Sequence, residues 1–101
     1  GLMLARIKLL GSVRDVVRST RDELNLPACA TVQDLITALV EKHGEGLARR
    51  ILSPDGQLQS YTRLFVDGRE IDGAGLDRTA LSATGAAVDV EVFVVQMTMG
   101  G

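Results

Sequence analysis

The chain has 101 residues, with 11 Lys and Arg against 13 Asp and Glu, a formal net charge of −2. A chain of this length makes one domain and removes about 10,000 Å² of surface from water on folding, enough for a core that needs neither a metal nor a disulfide. Hydrophobic residues at 46% exclude a disordered chain, and the charged 24% is interspersed, so neither nucleic acid nor an anionic membrane is an expected partner.

Gly1-Leu2 ahead of Met3 reads as an expression scar outside the fold, so the domain is taken as residues 3–101, with a flexible tail at 96–101. From Leu4 to Leu10 the chain alternates: Met3, Ala5, Ile7 and Leu9 fall on one face and Leu4, Arg6, Lys8 and Leu10 on the other. That period of two predicts a half-buried strand. Gly11 to Arg21 carries no period and reads as a loop. Asp22 to Leu26 restores the alternation before Pro27 and predicts a short second strand.

Thr31 stands three residues before Asp34, which resembles a capping box with Asp in the usual Glu place, so a helix starts there. Val32, Leu35, Ile36, Leu39 and Val40 then recur at helical spacing as one apolar stripe, and Gly44 follows as the stop. Leu47 to Leu52 predicts a short helical turn, ended by Ser53-Pro54-Asp55-Gly56.

Leu64-Phe65-Val66, Asp67-Gly68 and Arg69-Glu70-Ile71 predict a strand, a tight turn and a return strand. A loop rich in Gly and Asp follows. Val88 to Val95 is the strongest strand signal, with Val88, Val90, Val92 and Val94 on one face and Asp89, Glu91, Phe93 and Val95 on the other. The order ββαβββ predicts an α+β domain in which one main helix packs its stripe on Ile7, Leu9, Val90, Val92 and Val94 of a mixed, mostly antiparallel sheet.

The outer faces of the first and last strands both change from charged to apolar along their lengths. If the two are parallel neighbours, Arg6 and Lys8 face Asp89 and Glu91, and Leu10 lies beside Val95. Leu10, Phe93, Val95, Met97 and Met99 would then gather where the tail departs. Such a cluster reads either as a partner surface, to which methionine adapts well, or as cover for the core edge.

The sequence ends in Gly100-Gly101. Two terminal glycines add nothing to a core, but without Cβ atoms they can thread a narrow channel in extended form and present the Gly101 carboxylate to an enzyme. Strand, loop, strand, the helix opened by Thr31-Val32-Gln33-Asp34-Leu35, the Val66-Asp67-Gly68 turn, the valine-rich last strand and the diglycine together resemble the MoaD/ThiS family of ubiquitin-like sulfur carriers over almost the whole chain. The longer middle segment, 45–60, is similar to that of carriers feeding cysteine biosynthesis and related thiocarboxylate pathways. The family often has Gly-Asp before the last strand and prolines after it; here Asp89-Val90 and Gln96-Met97 stand in those places, which implies a freer tail.

The resemblance implies a β-grasp fold and a protein co-substrate that is not itself an enzyme. A separate ATP-dependent enzyme would adenylate the Gly101 carboxylate, a sulfur donor would displace AMP, and the resulting thiocarboxylate would serve a biosynthetic enzyme. Gly100 would give access to the channel, and Leu10, Phe93, Val95, Met97 and Met99 would meet the partner. No bound cofactor or metal is expected, and the free chain is expected to be a monomer. A modifier joined to lysine through Gly101, and a passive binding module, are the competing readings.

Cys29 stands alone, so it forms no internal disulfide, and the cytoplasm is the expected compartment. It is expected to be a small packing residue, with His43 placed against the negative end of the helix dipole. Leu2 to Leu10 is broken by Arg6 and Lys8, which argues against a signal sequence. Asp67-Gly68 lacks the spacing of a calcium loop, and Gly73, Gly75 and Gly85 do not sit between a strand and a helix as a phosphate loop would.

Overall fold

The computed structural model describes residues 1–95. The first strand, β1, runs Leu2–Gly11 and pairs antiparallel with β2, Arg21–Pro27. Helix α1 spans Val32–His43 and α2 spans Glu45–Ile51. The hairpin of β3, Thr62–Val66, and β4, Arg69–Glu70, precedes the last strand, β5, Val88–Val94. The strand order β2-β1-β5-β3-β4 sets β1 and β5 side by side in parallel, and the other three pairings are antiparallel. This is the β-grasp arrangement expected from the sequence.

The capping box at α1 is complete. Asp34 N–H donates to Thr31 Oγ1 at 3.1 Å while Thr31 N–H donates to Asp34 Oδ2 at 2.9 Å, which satisfies two of the four N–H groups left open at a helix start. Val32, Leu35, Ile36 and Leu39 are buried against Ile7, Leu9, Val90, Val92 and Val94 in one core, with Val40 packed partly buried at its margin. Gly44, at φ +89°, ends α1 and opens α2, whose Leu47 and Ile51 join the core. The helix at α2 starts at Glu45, two residues before the short turn that the sequence predicts.

Two other boundaries differ from expectation. Leu2 pairs with Pro27, and Gly1 C=O accepts from Ala28 N–H at 3.1 Å, so the first two residues extend the β1–β2 ribbon. The loop after β4 is also ordered by backbone pairing. Val32 N–H donates to Thr79 C=O and Leu81 N–H to Ala30 C=O, while Leu76 and Leu81 bury their side chains over the start of α1.

Asp67 at φ +48° and Gly68 at φ +82° form the two-residue turn between β3 and β4, both left-handed as this hairpin type requires. Asp67 also closes the sheet. Its N–H donates to Asp89 C=O at 2.8 Å and its carboxylate accepts from Asp89 N–H at 2.9 Å, so the hairpin is tied to the start of β5.

Candidate functional surface

The parallel pair β1–β5 places Arg6 beside Asp89, Lys8 beside Glu91 and Leu10 beside Phe93. Opposite charges thus meet along the strands before the apolar end. Arg6 holds Asp89 with both arms, Nε to Oδ1 at 2.8 Å and Nη2 to Oδ2 at 3.3 Å. With both side chains more than half exposed, the pair serves register more than stability.

The register corrects one expectation: the neighbour of Leu10 is Phe93, not Val95. The charge pairs Arg6–Asp89 and Lys8–Glu91 stand in the expected phase, and that phase carried two residues further reaches Phe93, with Gly11 beside Val94. Phe93 also faces Arg63 across the antiparallel pair with β3, and Arg63 is held by Glu70 at 2.8 Å. Phe93 is 37% and Val95 39% exposed, while Leu10 is half-buried. The alternation that sends Val92 and Val94 into the core sends Phe93 and Val95 outward, so Phe93 belongs to the surface and not to the core edge.

Val95 N–H donates to Tyr61 C=O at 2.9 Å, which carries the sheet pairing one residue past β5. Leu10, Phe93 and Val95 are therefore brought together at the end of the sheet from which the chain continues. Met97, Met99, Gly100 and Gly101 lie outside the described residues.

Gly11, which sequence reasoning assigned to a loop, sets this geometry. It sits at φ +72°, and a Cβ there would come within 2.2 Å of the Val94 carbonyl oxygen. The only signal in the sequence was a glycine at the exit of a strand. Cys29 departs from expectation in the other direction: it is exposed in the turn between β2 and α1, because the packing places there are taken by Leu26 and Ala30. Among the described residues, no group of three or more His, Cys, Asp or Glu is arranged to hold a metal, and no helix is long and apolar enough to cross a membrane.

No protein-family model matches the chain, and no curated protein matches it. Solved structures do. The chain is similar to the small archaeal modifier protein SAMP1 of Haloferax volcanii, with a TM-score of 0.77 and 24% identity over 97% of this chain and 99% of the other. It is similar to the HVO 2177 protein of the same organism, with a TM-score of 0.75 and 27% identity over all of this chain and 89% of the other. A putative molybdopterin converting factor subunit 1 from Pyrococcus furiosus follows, with a TM-score of 0.66 and 19% identity over 93% of this chain and 99% of the other. The chain has the ubiquitin-like β-grasp fold, and its structural neighbours include a small archaeal modifier protein and a putative molybdopterin converting factor subunit, in keeping with the resemblance to ubiquitin-like sulfur carriers.

Proposed function

We propose that the chain is a sulfur carrier that works through the carboxylate of Gly101. A separate adenylating enzyme binds ATP, and the carboxylate oxygen attacks its α-phosphate, releasing pyrophosphate and leaving an acyl adenylate. A sulfur nucleophile then attacks the acyl carbon and AMP departs with the bonding pair. The thiocarboxylate sulfur then attacks the acceptor substrate on a biosynthetic enzyme, and water attacks the acyl carbon, so that the C–S bond breaks with the sulfur left on the acceptor and the carboxylate is restored. The chain contributes the acyl group and a docking surface, binds no cofactor of its own, and acts as a monomer in the cytoplasm.

The observation that carries this reading is the exposed apolar surface of Leu10, Phe93 and Val95, at the end of the sheet from which the sequence runs on to Gly100-Gly101. An exposed phenylalanine and valine at the end of β5, with the sequence running on to Gly100-Gly101, suit a partner that grips the domain while reading the tail. The fold shared with a molybdopterin converting factor subunit supports the same reading. The test is to incubate the chain with an adenylating enzyme, ATP and a sulfide source and to weigh it intact. A gain equal to one oxygen-to-sulfur exchange, located at Gly101 by fragmentation, supports the carrier.

The likeness to a small archaeal modifier protein favours a second reading, in which the same adenylate is attacked by a lysine amine to give an isopeptide. A tryptic remnant of the tail on lysines of other proteins, with no thiocarboxylate detected, would establish that reading in place of the first.

A further inference from the structure

Beside the apolar end of the sheet lies an open groove formed by Val16, Gly46, Arg49, Arg50, Tyr61 and Val95, with Ser12 and the carboxylate of Asp15 at its margin. Its floor is apolar. Val16 and Tyr61 pack partly buried against the core, Gly46 leaves room where a side chain would stand, and Val95 joins the groove to the Phe93 surface. Its wall is the last turn of α2, which carries Arg49 and Arg50.

Those two arginines are held less closely than Arg6 and Arg63. Arg6 meets Asp89 with two nitrogens, and Arg63 meets Glu70 at 2.8 Å. Arg49 reaches Glu45 only through Nε, at 3.4 Å with both side chains more than 80% exposed, and Arg50 comes no nearer than 3.9 Å to Asp15. A guanidinium has five N–H donors in a fixed fork that fits a carboxylate through two parallel bonds. Neither arginine has that bidentate partner within the described residues. Arg49 and Arg50 both line the groove, next to Val95 at the end of the described sheet.

We infer that this groove docks an acidic, partly apolar segment of a partner protein, with carboxylates on Arg49 and Arg50 and an aliphatic side chain on Val16, Tyr61 and Val95. This rests on the carrier reading only in identifying that partner as the adenylating enzyme. A second basic contact beside the tail would orient the domain before the tail threads, and it would speed encounter at low salt.

The test has two arms. In the first, a blocked peptide of alternating glutamate and leucine is titrated into the ¹⁵N-labelled chain. Amide shifts should concentrate at Val16, Gly46, Arg49, Arg50, Tyr61 and Val95, and affinity should fall at least about tenfold in the Arg49→Gln/Arg50→Gln double variant, the factor expected for losing two charge-assisted contacts. Gly46→Glu, which fills the groove with a like charge, should lose the peptide as well. Shifts spread evenly over Arg6, Lys8 and Arg21, no binding, or affinity unchanged in both variants would overturn the inference. In the second arm, ATP–pyrophosphate exchange by the adenylating enzyme should show a raised KM for the double variant, an unchanged kcat and a shallower dependence on salt. Wild-type chain that supports no exchange at all would sink the carrier reading, while the groove still stands or falls on the peptide.

Discussion

His43 Nε2 lies 2.6 Å from Asp22 Oδ2, and the neighbouring Lys42 Nζ lies 2.5 Å from Asp22 Oδ1, so one carboxylate at the start of β2 holds the end of α1. His43 stands in the last turn of α1, at the negative end of the helix dipole as expected, and the structure adds a carboxylate from another element. Asp22 occupies an inward position opposite Ile7, and its side chain is only 11% exposed. Burial pushes its pKa up, but hydrogen bonds from Lys42, His43 and Glu23 N–H outweigh that and hold it below the usual 3.8.

A carboxyl whose folded pKa is depressed contributes stability that is present above its unfolded pKa and lost as pH falls through the folded one. Stability of the wild type relative to Asp22→Asn should therefore be greatest at neutral pH, roughly 1–2 kcal/mol for charge-assisted bonds of this exposure. The difference should shrink below about pH 4. Denaturant melts of both proteins at pH 7 and pH 3 measure it, and a gap that widens in acid contradicts the assignment.

Gly11→Ala is expected to destabilise the chain by at least about 2 kcal/mol, since it adds left-handed strain to a backbone clash that only movement of β1 from β5 can relieve. The clash is with the carbonyl of Val94, so the loss should come with altered amide shifts at Val94 and Val95. Gly44→Ala is the control: φ is also positive but no atom lies within 4 Å, so it should show only backbone strain of about 1–3 kcal/mol and leave the amide shifts of Val94 and Val95 unchanged.

Leu39 is 1% exposed within the stripe that α1 lays on the sheet. Leu39→Ala should cost about 2–5 kcal/mol by lost burial and residual cavity, read as a shift in denaturant midpoint. A loss under about 0.5 kcal/mol would mean that the stripe does not face the core.

What could be read in advance follows from how local each determinant is. The stripe of α1, the capping box at Thr31 and the Asp67-Gly68 turn are written within a few residues, and all three stand as expected. The parallel pairing of β1 with β5 and the facing of its charges were legible from matched patterns 83 residues apart, but the partner of Leu10 was not. Alternation fixes which face a residue occupies, whereas the offset between distant strands is set by three-dimensional packing, including the approach of Gly11 to Val94. The Asp22–His43 bond and the groove at Arg49 and Arg50 likewise join separate elements, and no local spacing announces them.

Phe93→Glu should separate surface from core at the candidate site. The side chain points outward beside Arg63, with which a glutamate can pair, so the change in stability should stay under about 1 kcal/mol. On the carrier reading the same variant should raise the KM for adenylation several-fold, because a charge replaces the aromatic anchor. A melting temperature lowered by more than about 8 °C would return Phe93 to the core.

The chemistry is predicted to pass through the last residue of the sequence alone. Deleting Gly101 leaves the terminal carboxylate on Gly100, one residue short of the adenylating enzyme's reacting position, and extending the chain past Gly101 carries it at least one residue, ~3.5 Å of extended backbone, too far. Both changes should abolish the mass gain of the oxygen-to-sulfur exchange while leaving the melting temperature unchanged. Gly100→Val should fail as well, because a branched Cβ narrows the allowed backbone range and widens the thread, whereas Gly100→Ala should retain partial activity. Replacing the exposed Cys29 by Ser should leave the mass gain intact, which separates a thiocarboxylate at Gly101 from a persulfide on the chain's one thiol. Sulfur that follows Cys29, or a chain lacking Gly101 that still supports sulfur transfer in the cell, would defeat the carrier reading.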